Sequence, residues 1–337
     1  MREILPLPRG EYATGVSDLT RSPWLRAALL IGAVGLAGYG LVSQWPQVHA
    51  ALGQLDGWDV AGAAVCAIAG LGCMMLAWRA LLADLGSPLP LPAAIRVLFV
   101  GQLGKYVPGA VWAVAAQVEL ARDYAVPRRR SGTASLVSMA VTLLVGLVAA
   151  GVTLPLVSAH AVRQYWWVLA VTPLAAACLY PPAIKFGLDR ALRVLGKAPL
   201  EGSVGRGGMA RALAWTTLGW LCYGASAWFL ISVFAGKGGG SYALSLGAYA
   251  LAWAVGFLII FFPGGIGPRE VALIAVLAPV MSSASALVVA LASRVVMTAG
   301  DLVWAGAGLA IGRARRKASR PAEPADRQPS PAPGPRA

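Results

Sequence analysis

Two Pro-Gly breaks interrupt long apolar stretches of this chain: Val107-Pro108-Gly109-Ala110 and Phe262-Pro263-Gly264-Gly265-Ile266-Gly267-Pro268. Pro108 and Pro263 lie 155 residues apart. Hydrocarbon offers no hydrogen-bond partner, so broken backbone at membrane depth survives only where protein or a wet cavity covers the freed N–H and C=O groups. Paired breaks at corresponding positions of two halves point to a transport site between them.

The surrounding composition places both breaks in a bilayer. Hydrophobic residues make up 58% of the 337, charged residues only 12%, and mean hydropathy is +0.68. A soluble domain of this size has no use for that much apolar surface. The class is an all-α polytopic membrane protein. The net charge of +14 could suggest nucleic acid, but the basic residues fall in loops between apolar segments and in the tail, as positive-inside flanks do. No nucleic-acid partner is expected. Cys66, Cys73, Cys178 and Cys222 all sit in apolar segments, without Cys-x-x-Cys or Cys/His clustering, so they read as packing residues, and neither metal nor other cofactor is expected.

Apolar runs long enough to span fall at 24–44, 58–82, 132–155, 165–186, 212–234 and 284–312, about six spanning helices; 93–121 and 243–281 carry the breaks. Residues 1–23 form a cytoplasmic segment and 24–312 the membrane domain. From Arg313 to Ala337 the chain is basic and Pro-rich, with no apolar face to bury, and is expected to be disordered. Lys/Arg placement puts both termini in the cytoplasm. Segment 93–121 starts from a cytoplasmic loop and ends at Arg122 and Arg128-Arg129-Arg130, so a re-entrant hairpin fits it; 243–281 fits the same form from outside. A kinked spanning helix is the alternative at each break. The order helix, helix, re-entrant hairpin, helix then recurs in halves 24–155 and 165–312 with opposite orientation, an inverted repeat.

At the first break, Lys105, Tyr106, Pro108, Gly109 and Trp112 combine a cation, aromatics and a helix restart whose N–H groups favour an anion. Alternatively Lys105 snorkels or pairs with a carboxylate, and the aromatics pack. At the second, Pro263, Gly264, Gly265 and Gly267 permit close backbone approach, Arg269 can hold phosphate bidentately, and Glu270 can orient Arg269 or relay a proton. Arg269 and Glu270 could instead neutralise separate neighbours. Arg294 and Asp301, seven residues apart on the last helix, should face Glu270, Arg269 or Lys105, lining the site or bracing it. Glu119 and Arg122 can pair on the first hairpin's exit arm, and Trp166-Trp167 suit an interfacial belt.

At these motifs the chain resembles the lysylphosphatidylglycerol synthase transmembrane-region family of flippase-like integral membrane proteins, over roughly residues 25–312. Phe262-Pro263-Gly264-Gly265-Ile266-Gly267-Pro268-Arg269-Glu270 matches the family's Pro-Gly-Gly-x-Gly-x-Arg-Glu pattern. Gly104-Lys105-Tyr106-Val107-Pro108-Gly109-Ala110-Val111-Trp112 resembles a Lys-Tyr-x-Pro-Gly-x-x-Trp variant seen in members linked to envelope glycan assembly. The Gly-Glu-x-x-Arg that many members carry after the first break is replaced by Trp112-Ala113-Val114-Ala115-Ala116, and an acidic-basic pair expected in the following helix is missing, so chemistry attached to those charges does not transfer. An aminoacyl-transferase domain, which follows the membrane part in bifunctional members, is not present in the 25-residue tail.

The resemblance implies a flippase-like transporter in the cytoplasmic membrane and not an enzyme. Its substrate would be an anionic lipid: a phospholipid, an aminoacyl-phospholipid or a polyprenyl-phosphate glycan carrier, with Tyr106 and Trp112 slightly favouring a sugar-bearing head group. The alternative is a membrane-embedded transferase or accessory subunit in lipid-linked envelope glycan assembly. Partners would be anionic membrane lipids and envelope-glycan or lipid-modifying enzymes.

Overall fold

In the computed structural model the described residues are 45–106, 112–156, 166–194, 196, 198–200, 202–235, 241–259 and 267–318. Every regular element among them is helical, as an apolar environment demands, because a helix satisfies its own backbone. The elements are α1 (Trp45–Leu52), α2 (Gly57–Asp84), α3 (Leu91–Ile95), α4 (Trp112–Arg122), α5 (Arg128–Thr153), α6 (Trp166–Cys178), α7 (Pro181–Val194), α8 (Arg206–Ile231), α9 (Tyr242–Leu258), α10 (Pro268–Leu277) and α11 (Ser283–Ala318). The expected first spanning helix, 24–44, lies outside the described residues, as do Pro108, Gly109, Pro263, Gly264, Gly265 and the tail from residue 319.

Three described helices, Gly57–Asp84, Arg128–Leu156 and Ser283–Arg315, are long and apolar enough to cross a membrane. Helix α8 has the length, 26 residues, but its Trp, Tyr, Thr and Gly content makes it less apolar. It packs antiparallel to α2 along its whole length, and small residues set the distance. A Cβ added to Gly219 would lie 3.3 Å from the Gly70 carbonyl oxygen, and one on Gly70 would lie 2.6 Å from the Tyr223 ring. Small residues let backbones approach where the hydrophobic effect supplies no force between helices. At the end of this pair the Asp84 carboxylate accepts the Gly205 N–H (2.5 Å), one orphan donor at the start of α8.

Two expectations need correction. The straight span at 165–186 is absent: α6 and α7 meet at an angle of 100°. Pro181 and Pro182 start α7, and proline has no N–H for the preceding turn and disfavours helix in the residue before it. The second correction concerns the tail, where 313–318 continue α11. Basic side chains suit a helix C-terminus, and Arg315 lies 4.4 Å from the Tyr124 ring centroid. Helix α7 also runs beyond the expected limit at 186, and α1 lies between the expected spans 24–44 and 58–82, where its Val48 and Ala51 pack on Ala284, Leu287 and Val288 of α11.

The succession long helix, broken segment, long helix occurs twice: α2, 91–122, α5, and α8, 242–277, α11. The first broken segment packs on α11, and α9 of the second packs on α5. Each broken segment thus lies against the long helix that closes the other set.

Candidate functional site

The first broken segment folds back on itself. Its first arm is irregular: α3 runs into a π-helical turn, Arg96–Val100, and then a 3-10 turn, Leu103–Tyr106. Glycines explain how α4 lies so close. A Cβ on Gly104 would stand 2.8 Å from Ala113 N, and one on Gly101 would stand 2.6 Å from Gln117 Cγ. At the open end Arg96 donates to Asp123 Oδ2 (3.2 Å) and to the Tyr124 hydroxyl (3.3 Å). The apposed positions fall along the first arm as they rise along α4, so the arms are antiparallel.

Behind this hairpin sits a buried polar chain that sequence reading missed. Trp78 Nε1 donates to Ser135 Oγ (3.2 Å), which donates to Gln117 Oε1 (2.8 Å). None of the three is charged, so nothing in the sequence marked them apart from packing residues. In a low-dielectric interior each unmet partner would cost desolvation energy, which ties α2 and α5 to the middle of α4.

The second broken segment is α9 followed by α10. Gly267 has φ +97°, a left-handed value that glycine adopts without Cβ strain. Pro268 follows at the first helical position, and Glu270 Oε2 accepts the Gly267 N–H at 2.7 Å. Gly256 lets α10 approach α9, since its Cβ would lie 2.8 Å from Arg269 Cβ.

Both hairpins present charge to one face of α11. From the first, Lys105 Nζ lies 2.5 Å from Asp301 Oδ2, with side chains 29% and 6% exposed. From the second, Glu270 Oε1 lies 3.4 Å from Arg294 Nη1, with side chains 18% and 20% exposed. Two helical turns, about 10 Å, separate the two contacts along α11. Polarity is reversed between them: one hairpin gives a cation to an α11 carboxylate, the other a carboxylate to an α11 guanidinium.

Arg269 behaves differently. It donates to the Tyr249 hydroxyl, and its guanidinium carbon lies 4.7 Å from the Tyr249 ring centroid. Among the described residues it makes no ion pair. Tyr249, 2% exposed, leans on Tyr223 (6.1 Å between centroids). Sequence reading missed Tyr249, since an aromatic in an apolar helix carries no signal beyond packing. A neutral tyrosine holds the guanidinium in place without cancelling its charge.

Of the residues singled out in the sequence, Lys105, Gly267, Arg269, Glu270, Arg294 and Asp301 are thus gathered around α11. Trp112 opens α4 and is 56% exposed. The backbone of Tyr106 ends the 3-10 turn, while its side chain and the tip residues Pro108, Gly109, Pro263, Gly264 and Gly265 lie outside the described set. At the far end of α4, Glu119 pairs with Arg122 and with Arg128 (3.1 Å); these two guanidiniums, Arg122 foremost, hold its carboxyl below the usual range.

Two guanidiniums and an ammonium, each held by a hydrogen bond or an ion pair, are groups able to hold a phosphate. No group of three His, Cys, Asp or Glu gathers among the described residues. A comparison with curated proteins finds no match. A family model described as the lysylphosphatidylglycerol synthase TM region matches residues 24–305.

Proposed function

Because the chain belongs to the lysylphosphatidylglycerol synthase transmembrane-region family, we propose that it moves an anionic lipid across the cytoplasmic membrane, head group through the charged centre and tails in the bilayer. In this reading the two broken segments enter from opposite faces as re-entrant hairpins of an inverted repeat, with both termini cytoplasmic. Lys105 and Arg269 hold phosphate, Glu270 sets the position of Arg294, and Asp301 holds Lys105 while the site is empty.

The observation that supports it best is Arg269, a guanidinium in a lipid-embedded chain that is held by a tyrosine instead of a carboxylate. Intramembrane charge is costly and is kept for use. Neither ion pair alone would argue for transport, since each could simply pin a hairpin to α11.

Reconstitution of the full chain into liposomes carrying an NBD-labelled phosphatidylglycerol, with dithionite quenching of the outer leaflet, tests it. Transport predicts loss of the protected pool at a rate that Lys105→Ala and Arg269→Ala each reduce at least about tenfold, a change of roughly 1.4 kcal/mol in the barrier. Equal rates in protein-free liposomes and in both variants would refute it.

A further inference from the structure

Helix α7 is held on two of its faces and free on a third. Ile184, Leu188 and Leu192, on successive turns, pack into the core. On the next flank Lys185 Nζ reaches Asp189 Oδ2 (3.0 Å) and the Leu200 carbonyl (3.4 Å), and Asp189 Oδ1 accepts the Leu200 N–H (2.7 Å). The outer face carries Phe186, Arg190 and Val194 at four-residue spacing, so one above another. Phe186 is 68% exposed and Val194 74%. Arg190, between them, is exposed and makes no hydrogen bond or ion pair among the described residues. Arg193 is exposed too, and its Nε donates only to the Asp189 carbonyl (3.3 Å).

We infer that α7 lies in the head-group layer of the cytoplasmic leaflet and that this outer face docks on anionic phospholipid. The inference needs only that the chain is embedded in a bilayer, and it involves neither hairpin. Helix α6 has no charged residue from Trp166 to Cys178, as a segment inside hydrocarbon requires. Helix α7 leaves it at 100°, so a steep α6 sends α7 along the membrane surface.

Depth follows from α5. Ile184 and Lys185 line a small cavity with Thr133 and Val137 of α5 and Met209 of α8. Thr133 and Val137 stand about 5 and 10 Å from Arg130 along the helix. Lys/Arg placement puts the Arg128-Arg129-Arg130 end at the cytoplasmic surface. An interfacial helix sits at that depth, about 5–10 Å into the head-group boundary.

Water suits neither Phe186 nor Val194, and hydrocarbon does not suit a guanidinium. The head-group layer takes all of them, because the apolar side chains enter the acyl boundary while Arg190 and Arg193 reach phosphate. A zwitterionic lipid offers the same phosphate with a compensating ammonium, so the preference is for net negative charge.

A photoreactive p-benzoylphenylalanine in place of Phe186 identifies the neighbour directly. The full chain is reconstituted in nanodiscs of equal parts dioleoylphosphatidylglycerol and dioleoylphosphatidylcholine, irradiated, and its α7 peptide weighed by mass spectrometry. Lipid adducts should form, with phosphatidylglycerol exceeding phosphatidylcholine about fivefold, which corresponds to roughly 1 kcal/mol. Arg190→Gln with Arg193→Gln should bring the two adducts to parity, and Arg190→Lys with Arg193→Lys should keep the excess. Both side chains are exposed, so these variants keep the fold. Equal adducts without the arginine changes, adducts to protein in place of lipid, or no adduct would each overturn the inference. Lys105 and Arg269 are untouched throughout, so any of those results leaves the transport reading standing, and failure of the transport assay leaves this surface as it is.

Discussion

The two hairpins meet the same helix with opposite economies of charge. The first delivers one cation, Lys105, to one carboxylate, Asp301. The second delivers a carboxylate, Glu270, to Arg294, and keeps a second cation, Arg269, on a tyrosine. Chain geometry follows the same contrast. The first hairpin is closed by backbone-to-backbone approach at Gly101 and Gly104. The second is held by side chains, with Glu270 folded onto Gly267 and Arg269 onto Tyr249. The comparison teaches that a bound charge can serve anchoring or reception, and that the test is whether its partner cancels it. Lys105 is cancelled by Asp301; Arg269 is not cancelled by Tyr249.

The largest effect should come from the cancelled side. Asp301→Asn removes the partner of a mostly buried ammonium and should cost about 3–5 kcal/mol, read as SDS-titration unfolding in mixed micelles. A loss as small as exposed pairs show would mean that Asp301 does not hold the Lys105 ammonium. On the uncancelled side, Tyr249→Phe keeps the ring beneath Arg269 but deletes its hydroxyl. The expected cost is about 2 kcal/mol in the same unfolding measurement, with lipid transport also slowed because the guanidinium loses its fixed direction.

Backbone closure ranks next. Gly104→Ala forces a methyl into Ala113 and Trp112, and overpacking of that kind costs about 1–3 kcal/mol. Gly256→Ala meets one close atom, Arg269 Cβ at 2.8 Å, where Gly104→Ala meets Ala113 N, Trp112 C and Trp112 O at 2.8–2.9 Å, so it should destabilise less than Gly104→Ala. Equal effects would erase the distinction between a backbone-closed and a side-chain-closed hairpin. Arg122→Gln, in an exposed pair at the end of α4, should leave the unfolding midpoint where it was. Exposed ion pairs contribute little.

Much of this centre was legible in the sequence because ionisable residues inside apolar segments are rare. Lys105, Arg269, Glu270, Arg294 and Asp301 stood out one by one on that ground. Their pairing was not legible, since spacing along α11 fixes which face Arg294 and Asp301 share but not which hairpin reaches each. Tyr249 and the Trp78–Ser135–Gln117 chain were hidden for another reason. Uncharged polar atoms acquire meaning only from what they touch.

The bend between α6 and α7 was readable in hindsight. Pro181-Pro182 marks it, and Ile184, Leu188 and Leu192 recur at helical spacing along the protein-facing side of α7, with Phe186 and Arg190 outward. Treating 165–186 as one apolar run overrode those signals. The short α1 and the helical start of the tail were missed because each gains its order from α11 or Tyr124, contacts far away in sequence.

A charge swap tests most directly whether the hairpin and α11 are joined as described. Lys105→Asp alone and Asp301→Lys alone each place like charges together, and each should lower the unfolding midpoint strongly. The double variant restores an opposite pair across the same gap and should recover most of the loss. A double variant as unstable as the worse single would contradict the pairing of the first hairpin with α11, and with it the charged centre built on that helix.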